Sequence, residues 1–168
     1  MLNITAVEFA KESDARAALK GLAETPKING TTIYQIALVK RQNGALKLCD
    51  NFTSDYLTES DTAKGGLIGG LIGLLGGAVG AVIGGVAGAL LGDAKDIDKK
   101  HFSQELITQV AEKMEEGDMG LIMTVDEADE SILDHMLVKY NDKCVYRFDA
   151  ETIAKEVEQA KEQAEQNG

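Results

Sequence analysis

His101 and His135 are the chain's two histidines. A histidine beside a nucleophile or a carboxylate is the usual start of proton-transfer chemistry near neutral pH. His135 follows Asp134 in a helical pattern and His101 opens another, and no partnered nucleophile is read for either. Both read as surface residues. The stretch "VDEADESILD", residues 125–134, gathers acidic side chains where a strand passes into a helix. It lacks the Asp-x-Asp-x-Asp-Gly order of a calcium loop, so it reads as a solvated helix start with favourable dipole interactions. Cys49 and Cys144 have no CxxC spacing, which argues against zinc and thioredoxin-like chemistry. Both are expected to be small core residues in a reducing compartment. No catalytic, cofactor-binding or metal-ligating residue is assigned, and no cofactor is expected.

The remaining candidate is "GGLIGGLIGLLGGAVGAVIGGVAGALLG", Gly65 to Gly92, 28 residues without a charge or a hydroxyl. Glycine-rich loops cradle phosphates, but a P-loop ends in Gly-Lys-Ser/Thr, and the nearby Lys64 precedes the glycines instead of following them. No G-x-G-x-x-G occurs in the run. A flexible linker is excluded by its other residues: beside twelve glycines and four alanines, all twelve are Leu, Ile or Val. Burying those twelve side chains contributes roughly 18 to 36 kcal/mol.

The spacing of the small residues explains the run. Gly65, Gly69, Gly73 and Gly77, continued by Ala81, Gly85 and Ala89, form one lane at intervals of four. Gly76, Gly80, Gly84, Gly88 and Gly92 form a second. Residues four apart share a helix face, and a face of small residues lets a second helix approach until the backbones touch. The pattern is a glycine zipper. Twelve glycines cost roughly 12 kcal/mol against alanine in a helix, so the run is helical only when packing or lipid offsets that cost.

Around it, the patterning is that of an ordinary α/β domain. "NITAVEFA" reads as a strand. "SDARAALKGLAE" reads as a helix capped by Ser13, with Ala15, Ala18, Leu19 and Leu22 on one face, and Pro26 with Asn29-Gly30 ends it. "TTIYQIALVK" and "LKLCDNF" form a hairpin about Asn43-Gly44. Phe102, Leu106, Val110 and Met114 mark a helix that Gly117 closes. "GLIMTV" is a buried strand, "ADESILDHMLVKYN" a helix, "KCVYRF" an extra strand, and "DAETIAKEVEQAKEQAEQ" a last helix with Ile153, Val157, Ala160 and Ala164 on one face. The order predicts an α+β fold: a ferredoxin-like βαββαβ domain with a glycine-rich helical-hairpin insert and an extra C-terminal αβα. The expected divisions are 1–62 for the first part (βαββ), 63–94 for the hairpin, and 95–168 for the second part with its acidic helix.

A single helix of 28 residues would be about 42 Å long, enough to span the roughly 30 Å of hydrocarbon. One crossing, however, would separate "IYQIALVK" from "LIMTV", which look like strands of one sheet. A hairpin with its corner at Gly76-Gly77 returns both ends to the same side, with arms of roughly 17 and 22 Å. Such a hairpin is a re-entrant wedge or the apolar core of an oligomer. The net charge of −11 lies entirely in residues 93–168, with twenty acidic against nine basic side chains. That surface repels nucleic acid and anionic headgroups, so any membrane attachment is hydrophobic. Glu8 precedes any long apolar stretch, so no secretory signal is read at the start.

The block "TAKGGLIGGLIGLLGGAVGAVIGGVAGALLGDAKDI", the helix "FSQELITQVAEKMEEG" and the following "MGLIMTVDEA" together resemble an uncharacterised bacterial family labelled predicted membrane protein, domain of unknown function 1269. The resemblance implies a prokaryotic source and membrane association, and it supplies no reaction or site residues. The expected function is non-enzymatic: self-assembly or membrane association through the zipper. The expected place is the bacterial cytoplasm or the cytoplasmic face of the inner membrane. The expected partner is a second copy of the chain, a homo-oligomer, or a lipid bilayer; nucleic acid is not. The alternative is a soluble small-molecule-binding or catalytic α/β domain whose insert only sets the oligomeric state.

Overall fold

The computed structural model describes residues 1–43, 45–57, 67, 68, 70, 71 and 114–167. In chain order the elements are β1 (Leu2–Phe9), α1 (Glu12–Glu24), β2 (Lys27–Ile28), β3 (Thr31–Gln42), β4 (Ala45–Thr53), β5 (Met119–Glu127), α2 (Glu130–Val138), β6 (Cys144–Asp149) and α3 (Ala150–Asn167). The fold is α+β. One sheet runs in the order β2-β3-β5-β1-β6, with β4 also on β3, and every pairing among the described residues is antiparallel. Because β5 occupies one edge of β3 from Thr31 to Lys40, β2 and β4 share the other.

Two tight turns set the register of that side. Asn29 and Gly30 take φ of 47° and 82°, and Ile28 pairs with Thr31 across them. Positive φ at both central positions is the twist that a two-residue hairpin demands. The dipeptide expected to end α1 therefore builds a β-hairpin as well. Asn43, at φ 55°, turns β3 into β4 with Gln42 opposite Ala45, as the Asn-Gly signal predicts. Further along, Leu38 faces Asp50 and Val39 faces Leu48, which leaves Cys49 unopposed in a bulge.

Cys49 and Cys144 are both exposed, which corrects the expectation that they are core residues. The reason is topological: among the described residues Cys49 is the bulged residue of a strand that pairs only with β3, and Cys144 opens β6 at the edge of the sheet.

Both faces of the sheet are covered, and the central strands show it. β1 is buried at every position after Leu2, and β5 at every position but Asp126. On one face Val7, Phe9, Leu121, Met123 and Val125 pack against Ala15, Ala18, Leu19 and Leu22 of α1 and Leu133 and Leu137 of α2. On the other, Ile4, Ala6, Ala37, Val39, Ile122 and Phe148 pack against Ala150, Ile153 and Val157 of α3.

Helix starts follow local chemistry. Ser13 lies inside α1 and does not cap it; the N-cap is Lys11, without a side-chain cap bond, and Glu12 and Asp14 supply the negative charge that the first turn favours. Asp129 caps α2 by accepting the Ser131 N–H at 2.9 Å. Asp149 does the same for α3, accepting from the Thr152 N–H at 2.9 Å and its hydroxyl at 2.7 Å.

Candidate functional site: the anchors of the glycine-rich run

The zipper residues Gly65, Gly69, Gly73, Gly77, Gly76, Gly80, Gly84, Gly88 and Gly92 lie outside the described residues, as do His101 and the pattern from Phe102 to Val110. What is described is four residues of its first part and the segments that flank it in the chain, 45–57 and 114–167. Its first anchor begins after β4, where the Ser54 N–H donates to the Tyr34 carbonyl at 2.9 Å and the Leu57 N–H to the Ser54 carbonyl at 3.2 Å. Residues 67, 68, 70 and 71 are helical, and Leu67, Ile68 and Leu71 are buried in the cluster formed by α3 and its sheet face. Leu71 has no exposed surface.

The second anchor is Met114 to Asp118. Met114 is buried over Gly120, where a Cβ would fall 2.8 Å from both the Met114 sulfur and its methyl carbon. Glycine leaves that seat open. Arg41 of β3 donates through Nη1 to the Met114 carbonyl at 2.8 Å, and its Nε lies 3.9 Å from the Glu116 carboxylate. The Gly117 N–H donates to the Arg41 carbonyl at 2.8 Å, the Arg41 N–H to the Asp118 carbonyl at 3.1 Å, and the Asn43 N–H to the Glu116 carboxylate. Gly117, at φ 89°, makes the turn.

Glu8 closes this anchor from β1. It is 4% exposed, and its carboxylate accepts the Glu115 N–H at 3.3 Å. Lys143 lies 3.0 Å from Asp118, 3.4 Å from Glu115 and 3.5 Å from Glu8. Burial, followed by the hydrogen bond with Asp118, pushes the Glu8 carboxyl above its ordinary range. Burial works against Asp118 too, but hydrogen bonds with Glu8 and Lys143 outweigh it and hold that carboxyl low. The hydrogen bond with Asp118 holds the Lys143 ammonium above the ordinary lysine value. On β6, contact with the Cys144 thiol pushes the Tyr146 phenol up to about 12, with burial adding to it.

At the opposite end of β1, Arg147 grips Glu127 through two nitrogens at 3.0 Å and reaches Asp134 at 2.6 Å and the Glu130 carbonyl at 3.1 Å. Asn3 donates to the same Glu127 at 2.9 Å. Burial opposes the Arg147 charge, and the bonds with Glu127 and Asp134 more than offset it, so its pKa is raised. This corrects one detail of the acidic stretch: Asp129 is a solvated cap, while Glu127 is buried and paired. The network ties β6, β5 and α2 together.

His135 is exposed in the last turn of α2. Among the described residues, no group of three or more His, Cys, Asp or Glu is arranged to hold a metal ion, and no helix is long and apolar enough to cross a membrane. The sequence reading does not single out Lys143 or Arg147, takes Glu127 only as part of the solvated acidic stretch, and takes Glu8 only as a charge that interrupts the first apolar residues. The available signal was a charge inside a buried strand, as at Glu8 in "ITAVEF".

Residues 62–164 match the model of a family described as "Protein of unknown function (DUF1269)". The chain belongs to this family. The match takes in the glycine-rich run, both described ends of it, β5, α2, β6 and most of α3. No curated protein and no solved structure matches the chain.

Proposed function

We propose that this protein is non-enzymatic and assembles with copies of itself, or attaches to a membrane, through a glycine-zipper helical hairpin spanning 63–94, carried on an α+β platform formed by 1–62 and 95–168. The observation that carries the reading is the pairing of β3 with β5 on either side of the run. A segment that leaves one sheet after β4 and rejoins it at β5 must return to the side from which it left. A hairpin meets that condition, and a single transmembrane pass does not. The buried Leu67, Ile68 and Leu71 further support it, because they fix the run's first turn to the platform rather than to lipid.

We also read the platform as ferredoxin-like. Support comes from β1, β3, β5 and β6: β5 lies between β1 and β3, β1 lies between β5 and β6, and α1 and α2 share one face. On this reading "KCVYRF" is the fourth strand of the βαββαβ unit rather than an addition, and β4 is the extra hairpin strand that leads into the insert.

Carbonate extraction followed by native mass measurement tests the function. Either retention in the membrane fraction or a defined homo-oligomer in the soluble one is expected. A soluble monomer would overturn it.

A further inference from the structure

β6 ends the sheet, and among the described residues β1 is its one strand partner. An edge strand offers backbone N–H and C=O groups to any strand that fits, and folds guard such edges with bulges, short strands and charges. The opposite side of this sheet is guarded in all three ways. β4 has the bulge at Cys49 and the exposed Lys47 and Asp50, and β2 is two residues long and opens on Lys27.

β6 has little of this protection. Its register against β1 runs from Asp149 opposite Asn3 to Cys144 opposite Glu8 without a shift. Its basic side chains turn inward: Arg147 onto Glu127 and Asp134, and Lys143, the residue before the strand, onto Glu8 and Asp118. What remains along the strand is apolar. Val145 is half-buried beside the face covered by α1 and α2, Tyr146 is half-buried beside the face covered by α3, and Phe148 is buried there. A strand that completes this edge must bring apolar side chains on both faces, and β6 is itself such a strand.

Charge selects the register. Two copies related by a two-fold axis normal to the sheet keep their faces, so each residue lies opposite one an even number of positions away. Two such registers pair five of the six β6 residues, and the others pair fewer. One is centred on Arg147 and sets that cation against its own copy, which is destabilising. The other is centred on Tyr146 and sets Cys144 opposite Phe148, Val145 opposite Arg147 and Tyr146 opposite Tyr146, with Lys143 opposite Asp149 at both ends. We propose that β6 pairs with β6 of a second copy, antiparallel about Tyr146, and so joins two sheets into one. This interface goes beyond the zipper reading and does not depend on it.

Single cysteines in the full chain read the register. Directly opposite residues of an antiparallel pair have Cα atoms about 4.5–5.5 Å apart, within disulfide range, whereas Cys144 stands roughly 13 Å along the strand from its counterpart. With Cys49→Ser and Cys144→Ser in place, Tyr146→Cys gives a covalent dimer on mild oxidation. The Cys49→Ser chain, which keeps Cys144 alone, does not. The same two results are expected when Gly84→Leu is added to each chain, so failure of the zipper and failure of this interface are read separately. No dimer through Tyr146→Cys, an equal yield through Cys144, or loss of the dimer on adding Gly84→Leu would overturn the proposal. Hydrogen exchange of the wild-type chain needs no substitution: protection of the β6 amides rises with protein concentration while that of the β4 amides does not. Concentration-independent exchange in β6 would overturn it equally.

Discussion

Ala37 and Ile122 are register partners on adjacent strands, and the whole glycine-rich run lies between them in the sequence. The longest register in the sheet is thus made by two strands that lie on either side of the run. The described residues nearest the run on either side both pack on this sheet. Before the break, Leu67, Ile68 and Leu71 are buried; after it, Met114 to Asp118 is held by Arg41, Glu8 and the seat at Gly120.

Single cysteines at Ser60 and Asp93, in a chain with Cys49 and Cys144 replaced, label from the same face of a membrane. This tests the return of the run directly. Labelling from opposite faces would require an odd number of crossings, which the β3 and β5 pairing forbids.

Leu71→Ala destabilises the platform by about 2–5 kcal/mol, because it leaves a cavity in the cluster shared with α3. Urea unfolding followed through the sheet measures it. If the run docked only on lipid or on other copies, the substitution would leave the unfolding midpoint unchanged.

Arg147→Ala costs about 3–5 kcal/mol, because Glu127, with 1% of its side chain exposed, is left buried without its charged partner and with only the Asn3 amide bonded to it. Lys155→Ala removes an exposed pair with Glu151 and leaves the midpoint where it was. Equal effects would show that the Arg147 network contributes no more than a surface pair.

Much of this fold was legible in the sequence, and the rest was hidden for identifiable reasons. Ala15, Ala18, Leu19 and Leu22 recur with the helical period and are buried as expected. Asn43-Gly44 marks its hairpin because few other dipeptides accept the required twist. Strand neighbours were harder. β1 and β5 are covered on both faces, so alternation, the signal that orients a strand, is absent from them. β6 reads as peripheral because it comes late in the chain, yet it pairs with β1 from Asn3 to Glu8. The anchor residues were hidden in another way. Glu8, Asp118 and Lys143 are far apart in sequence, and only the register of β1 against β5 and β6 brings them together.

Asp149 gives α3 an acid-sensitive start. Its carboxyl is held below the ordinary 3.8 by the Thr152 hydroxyl and N–H, so its contribution is present above that pH and is lost as pH falls through the lower value. Circular dichroism of Asp149→Ala should show reduced helix at neutral pH and no further acid loss from this end. An acid transition identical to that of the wild type would remove Asp149 as its cause.

Gly84→Leu tests the central claim, that small residues spaced by four hold the assembly together. The substitution raises both hydrophobicity and helix propensity, so a merely greasy anchor would bind lipid at least as well. The particle size of wild type and Gly84→Leu in the same detergent separates the two: smaller particles that keep the folded sheet are the predicted result, and an oligomer of unchanged size would contradict the account.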